Sequence, residues 1–165
     1  MKAQPSPLKK SSRTTVALRL SITHNARSLR DLSEPKLRAI ARRALLIEAE
    51  SRRYAVALAF VSDVTMQRLN REFAGNDYTT DVLSFLARED TGAFYSPLRP
   101  VAFLGDIAIS VPQAARQARE AGHSLQREVE LLLAHGMLHL LGHDHATRRD
   151  RERMDELQHQ ILSPA

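Results

Sequence analysis

Four stretches of the chain show the apolar patterns of β-strands. Every second residue over Val16–Ile22 is apolar, which predicts a strand with one face in water. Tyr54–Val61 is apolar throughout, which predicts a central strand buried on both faces by helices. Further strands are predicted over Asp81–Leu86 and Ala102–Ile109, joined by a loop over Glu89–Pro100.

Five other segments place apolar residues at helical spacing. Four of them begin at a serine that can cap a helix, and the fifth is a short amphipathic segment: Ser33, Ser62, Ser110, Ser124 and Arg149–Leu162. The order βαβαββααα predicts a small α/β or α+β fold, with a mixed sheet of about four strands packed with about five helices. Residues 1–13 show no periodicity and predict a disordered basic tail, which leaves residues 14–165 as a single domain.

The composition narrows the possible chemistry. The 165 residues include no cysteine, which excludes disulfides, thiolate metal sites and a cysteine nucleophile. The longest apolar run, Ala55–Val61, is too short to span a bilayer, so we expect a cytoplasmic protein. Residues 1–53 carry a net charge of +9 and residues 54–165 a net charge of −4. This asymmetry indicates a polyanionic partner, although solvated helix faces and a basic tail would give the same count.

The strongest chemical pattern is a group of histidines near the end of the chain. His135 and His139 are four residues apart in a predicted helix, so both imidazoles project from one face. Gly142 can adopt a left-handed conformation and end that helix, which lets the chain fold back and bring His145 to the same point. Three imidazoles with one open coordination position are typical of a catalytic zinc site, and Ni²⁺ or another divalent ion would suit the same ligands.

The spacing of these histidines matches that of the metzincin zinc proteases, with one difference. Where those proteases carry a glutamate as general base, this chain has Gly136. The pattern therefore predicts the metal ligands of such a site without the protease base. A structural metal stays open as an alternative, because Asp144 or His143 could supply a fourth ligand.

Two acidic residues upstream are further candidates for the site. Asp106 interrupts an otherwise apolar strand, where it could hydrogen-bond a ligating imidazole or simply lie at a strand edge. Asp81 lies at the start of the third predicted strand. Arg148–Arg153 follow the histidines, and the acidic residues interleaved with these arginines favour an exposed helix face.

The histidine segment, HGMLHLLGHDH over residues 135–145, resembles the H-G-x-L-H-L-x-G-Y-D-H signature of the YbeY family of bacterial rRNA maturation factors. Three other blocks resemble the family in the same order: Leu69-Asn70, Thr80–Phe85 and Leu104–Ile107. The resemblance covers about residues 15–162.

This resemblance implies a zinc-dependent endoribonuclease that cuts single-stranded RNA in 16S rRNA 3′ end processing and in ribosome quality control. It implies that His135, His139 and His145 hold one Zn²⁺. It also implies that Asp106 is the acidic residue beside the site, while Asn70 and Asp81 fall on positions often kept in the family. The implied partners are rRNA, the small ribosomal subunit and its assembly factors, with no membrane and no DNA.

Two residues depart from the family pattern. The family usually carries an arginine facing the metal cleft at the position of Ala74, and Arg71, about one helical turn earlier, is a candidate substitute. His143 stands where the family usually has tyrosine. Because a guanidinium suits a phosphate group and its developing charge, its loss lowers the catalytic efficiency that we expect of this chain.

We therefore predict phosphodiester hydrolysis by metal-activated water, with Asp106 or Asp144 as the candidate general base. Arginines of the N-terminal helix and strand would hold the RNA backbone. Two alternatives remain open. One is a ribosome assembly factor whose metal is mainly structural, and the other is a metal-dependent peptide or amide hydrolase.

Overall fold

The strands and helices follow one another in the predicted order. The structure, a computed structural model, describes residues 16–24, 30–48, 53–87 and 101–163. The strands are β1 (Ala17–Thr23), β2 (Arg53–Val61), β3 (Val82–Leu86) and β4 (Val101–Ser110). The helices are α1 (Glu34–Glu48), α2 (Asp63–Ala74), α3 (Val111–Ala121), α4 (Leu125–Leu140) and α5 (Arg148–Leu162). The predicted tail over 1–13 and the predicted loop over Glu89–Pro100 lie outside the described residues.

The four strands form one mixed sheet in the order β1-β2-β4-β3. β1, β2 and β4 run parallel, and β3 pairs antiparallel with β4 at the edge. Leu58, Ile107 and Ser84 lie side by side in β2, β4 and β3, and Gly136 of α4 packs against the last two. Side chains alternate between the two faces of a strand, so this row marks the α4 face of the sheet, and the neighbouring row through Asp106 lies on the opposite face.

Helix α4 lies at the centre of the hydrophobic core. It contacts α1, α3 and α5 as well as β3 and β4. Its buried residues lie on several sides of the helix and include Val129, Leu133, Met137 and Leu138. A helix that is apolar over most of its circumference is stable only when other elements surround it. This packing fixes the axis of α4, and with it the position of the histidines on it.

The expectation that β2 is buried on both faces is wrong. Its alternate residues are buried in the core: Tyr54, Val56, Leu58 and Phe60. The residues between them are only half-buried: Ala55, Ala57, Ala59 and Val61. Alanine keeps a strand apolar in composition, but its small side chain offers little apolar area for a helix to cover.

The helices begin where the predicted serine caps lie. Ser62, Ser110 and Ser124 each accept a hydrogen bond from the backbone N–H three residues later, at the start of α2, α3 and α4. Helix α5 begins after Thr147, which forms a reciprocal capping box with Asp150. Across the described ranges, we find no helix with the length and apolar character needed to span a membrane.

Candidate metal centre

Helix α4 directs two histidines to one point. His135 and His139 lie one turn apart, and their Nε2 atoms are 3.1 Å from each other. Their ring centroids are 4.7 Å apart, with the ring planes inclined by 77°. Both side chains are half-buried, so the packing around α4 holds the rings while one side stays accessible.

His145 joins this pair from the loop that follows α4. Gly142 has a φ of +93°, a conformation that residues with a side chain rarely adopt, and the chain reverses there. The ring centroid of His145 lies 5.8 Å from that of His135 and 5.2 Å from that of His139. One ligand nitrogen from each ring lies within 4.8 Å of the other two. The structure thus brings the three histidines together, and we call them the histidine triad.

Burial keeps two rings of the triad in their neutral form. Removal from water lowers the pKa of His135 and also that of His139, where the neighbouring imidazoles add to the effect. A neutral imidazole is the form that binds a metal ion. His135 and His139 are therefore suited to bind a metal at neutral pH.

The triad lies in a cleft of about 680 Å³ beside the edge strand β3. One wall consists of Thr80–Ser84 with Leu86, and the other consists of α4 and the loop Gly142–His145. The acidic residues Asp81 and Asp144 line the cleft, whereas no arginine or lysine among the described residues does. A cation held by the triad would supply the positive charge that these walls lack.

Gly136 marks a close approach of α4 to the sheet. A Cβ at this position would lie 3.1 Å from Ile107 Cγ2 and 3.1 Å from Ser84 Oγ. The Ser84 hydroxyl donates a hydrogen bond to the Gly136 carbonyl oxygen at 3.3 Å. The position that carries the base in a zinc protease therefore faces the sheet and has no room for a glutamate side chain.

Asp81 holds the wall of the cleft. Its carboxylate accepts hydrogen bonds from the Val82 backbone N–H at 2.7 Å and from the Gln117 amide at 3.0 Å. Its carbonyl oxygen accepts the Ser110 backbone N–H at 2.8 Å. These bonds tie the start of β3 to β4 and α3, so Asp81 fixes the edge strand beside the triad.

The two predicted catalytic acids lie in different places. Asp144 lines the cleft, and its carboxylate accepts the backbone N–H of His145 at 2.7 Å. Asp106 lies opposite Phe85 in the register, on the face of the sheet away from α4, and does not line the cleft. Partial desolvation raises the pKa of the Asp106 carboxyl. The structure does not bring Asp106 to the triad, and its catalytic role stays a prediction.

The other positions that the family resemblance singled out lie near the end of α2, and the contacts made there stabilise the fold and not the cleft. Asn70 is buried, and its amide donates a hydrogen bond to the Tyr78 carbonyl oxygen at 2.8 Å, which holds the turn after the helix. Arg71 forms an ion pair with Asp77 at 3.5 Å. Neither Arg71 nor the exposed Ala74 lines the cleft. The candidate substitute for the missing guanidinium thus pairs with a carboxylate elsewhere.

The loop that carries His145 and the first turn of α5 are largely exposed. His143 lines the cleft, and its backbone N–H donates to the Leu138 carbonyl oxygen at 3.0 Å. The arginines at the start of α5 lie on an exposed helix face, as expected. Arg148 pairs with Glu152 one turn later at 2.9 Å.

Helix α5 adds a residue that the sequence analysis missed. The Nδ1–H group of His135 donates a hydrogen bond to Gln158 Oε1 at 3.3 Å. Gln158 lies on the inward face of α5, between the buried Leu157 and Ile161. A polar amide on the apolar face of an amphipathic helix is the signal that could have identified it.

Comparison with known proteins identifies the family of this chain. A model of the family described as endoribonuclease YbeY matches residues 22–165. The chain belongs to this family. Endoribonuclease YbeY of Halalkalibacterium halodurans is 43% identical over 114 residues, which cover 67% of this chain and 71% of that protein. Endoribonuclease YbeY of Desulforamulus reducens is 50% identical over 109 residues, covering 65% and 69%. Membership of the YbeY family confirms the expected class of enzyme, a nuclease.

A solved structure shares the fold. A Thermotoga maritima protein determined in solution matches 87% of this chain and 89% of its own, with a TM-score of 0.52 and 23% sequence identity. At this identity the likeness concerns the fold alone. Together with the described helices and strands, it confirms the predicted small α/β domain with a mixed sheet.

Proposed function

We propose that the chain is a zinc-dependent endoribonuclease that hydrolyses single-stranded RNA. The observation that carries this proposal is the convergence of three imidazoles in an open cleft, in a chain of the YbeY family. The family supplies the substrate class, and the triad supplies the means of binding a metal.

The donor set fits a catalytic zinc ion. Catalytic sites use three protein ligands and leave one position for water or substrate, whereas structural sites fill all four, often with cysteine. The triad offers three imidazoles, and the sequence has no cysteine. Imidazoles also bind Ni²⁺ and other divalent ions, so the metal content of the purified protein must be measured.

The protein itself holds the ligands and shapes the cleft. A zinc ion at the triad would acidify a coordinated water and polarise a phosphoryl oxygen. The packing of α4 orients His135 and His139, and the turn at Gly142 presents His145. We assign to Asp144 the acceptance of a proton from the attacking water, in preference to Asp106, because Asp144 lines the cleft.

The biological setting follows from the family resemblance. We infer that the substrate is rRNA, and that the enzyme acts in 16S rRNA 3′ end processing and in ribosome quality control in the cytoplasm. There it would meet the small ribosomal subunit and its assembly factors. Residues 14–165 would act as one domain. A cleft bounded by one edge strand suits an extended single strand, which has no groove to be read.

Peptide hydrolysis is the less favoured chemistry. Gly136 occupies the position of the protease base, and it lies against Ile107 and Ser84 of the sheet. We therefore do not propose a peptidase. A mainly structural metal in an assembly factor remains the competing hypothesis, and the following experiment separates the two.

The test is cleavage of a single-stranded rRNA fragment by the parent protein and by His139→Ala, with bound metal quantified in both. His159→Ala is the matched control, because His159 is an exposed histidine of α5 outside the triad. We expect the parent and the control to hold about one metal ion per chain and to cut the RNA. We expect His139→Ala to lose both properties.

Three other results would count against the proposal. Equal cutting by His139→Ala would show that the activity comes from a contaminant. A parent that holds metal but does not cut would favour the assembly factor. A parent that binds no divalent metal would overturn the proposed metal centre itself.

A further inference from the structure

A second, smaller pocket of about 320 Å³ adjoins the triad cleft and shares Asp81, Val82 and His135 with it. Its lining includes Glu128 and Leu132 of α4 and Gln158 of α5. The two ring nitrogens of His135 meet different surroundings, because Nδ1 contacts Gln158 of this pocket and Nε2 contacts His139 of the triad.

The hydrogen bond between His135 and Gln158 determines which ring nitrogen of His135 carries the proton. Gln158 Oε1 lies 3.3 Å from His135 Nδ1. An amide oxygen can only accept a hydrogen bond, so Nδ1 must be the donor. A neutral imidazole carries one proton, and its other nitrogen, Nε2, then keeps a free lone pair. That Nε2 atom is the one that faces His139 Nε2 at 3.1 Å.

We propose that Gln158 is a positioning residue for the metal ligand His135. Its amide oxygen holds the imidazole in the tautomer and orientation that present Nε2 to the metal. This inference rests on the proposed function, because it assigns Gln158 a role toward the metal of the same site. Groups that hydrogen-bond a ligating histidine typically change metal affinity about 10–100-fold when they are replaced.

The position of Gln158 is itself well determined. The flanking residues Leu157 and Ile161 are fully buried, and α5 packs against α4. Gln158 is half-buried and uncharged, so its amide can lie beside an apolar core without a counter-charge. Helix α5 thereby forms part of the metal centre, although none of its residues belongs to the triad.

The experiment compares the Zn²⁺ affinity of four proteins by competition with a chromophoric chelator. Gln158→Leu removes the acceptor at nearly constant volume, and Gln158→Glu keeps an acceptor oxygen. Gln160→Leu is the matched control, because Gln160 is exposed on the same helix. We expect an affinity about 10–100-fold lower for Gln158→Leu and little change for Gln158→Glu and Gln160→Leu.

Two further measurements separate positioning from a general effect on folding. The thermal midpoint of each metal-free protein shows whether the variant is folded. Proton NMR of the zinc-loaded parent should show a slowly exchanging His135 Nδ1–H signal that disappears in Gln158→Leu. Such a signal reports the hydrogen bond directly and does not depend on cleavage activity.

The outcomes distinguish this inference from the proposed function. If the parent binds Zn²⁺ and Gln158→Leu binds it equally well, Gln158 does not position the ligand and only this inference fails. An equal loss of affinity in Gln158→Glu and Gln158→Leu would also overturn it. If the parent binds no Zn²⁺, both the metal centre and the role of Gln158 are wrong.

Discussion

Gly136 lies between two histidines of the triad, and its lack of a side chain sets how closely α4 packs on the sheet. Glycine inside a helix costs about 1 kcal/mol relative to alanine. Here it lets α4 approach the sheet until Ile107 and Ser84 lie against the helix backbone. His135, the preceding residue, is thereby held at the edge of β3, where the cleft opens.

We expect Gly136→Ala to lower the free energy of unfolding by about 1 kcal/mol. Overpacking of a core costs about 1–3 kcal/mol, and the better helix propensity of alanine returns part of it. Chemical denaturation of the metal-free protein measures the change. Ile107 Cδ1 would lie 3.2 Å from the new methyl group, so the cost should shrink in an Ile107→Val background. A similar effect in both backgrounds would contradict the packing explanation.

At the scale of elements, α5 begins at Arg148, soon after His145 of the triad. The Thr147 hydroxyl accepts the Asp150 backbone N–H at 3.1 Å, and the Asp150 carboxylate accepts the Thr147 backbone N–H at 3.2 Å. These reciprocal bonds fix where the loop carrying His145 ends and where the helix carrying Gln158 begins. The capping box therefore anchors the segment between His145 of the candidate metal centre and Gln158.

Thr147→Ala should lower the free energy of unfolding by about 0.5–2 kcal/mol, because the helix loses its capping oxygen. Thr147→Ser keeps that oxygen and should stay close to the parent. Urea denaturation of the three proteins in the metal-free state checks this. Equal losses in the alanine and serine variants would mean that the methyl group, and not the cap, is responsible.

The elements themselves were largely predictable, because their signals are local. Serine caps and apolar spacing placed the starts of α2, α3 and α4 correctly. The half-exposed face of β2 was not predictable, because an alanine-rich strand looks the same whether or not a helix covers it. The same holds for Asp106: the residues around it in β4 are apolar on both sides, so the sequence does not reveal which face α4 covers.

The candidate site was predictable to the extent that its histidines are close in sequence. The spacing of the three histidines and the turn at Gly142 were sufficient to predict their convergence. Gln158 was missed because its contact with His135 spans 23 residues and depends on how α5 packs on α4. Its place on the apolar face of α5 could have singled out the residue, but its partner His135 becomes visible only in the folded structure.

At the scale of the whole molecule, two arginines of α1 lie toward the edge of the sheet opposite to the triad. Arg38 and Arg42 of α1 line a pocket of about 290 Å³ beside β1, whereas the triad lies beside β3. Three strand spacings separate these edges, roughly 14 Å. If these arginines hold the RNA backbone, the RNA must extend from the triad cleft across the helices to α1.

This path predicts that Arg42→Gln reduces the salt dependence of RNA binding without changing metal content. Each phosphate contact with single-stranded RNA contributes about 0.7 to the slope of log affinity against log salt. We expect the slope to fall by about that amount in a titration at several salt concentrations. Arg119→Gln removes the same charge from the exposed face of α3 and is the control. An equal change in both variants would indicate net charge and not a defined path.

The closeness of the triad in sequence also limits what the metal can do for the fold. Its outermost members are ten residues apart, so a bound ion closes one short loop at the end of α4. Closing a short loop removes little chain entropy, and the core around α4 already holds the distant elements together. The folded protein should therefore release and regain its ion without unfolding. Activity would then follow the supply of metal in the cell, while the folded chain persists as an inactive reserve.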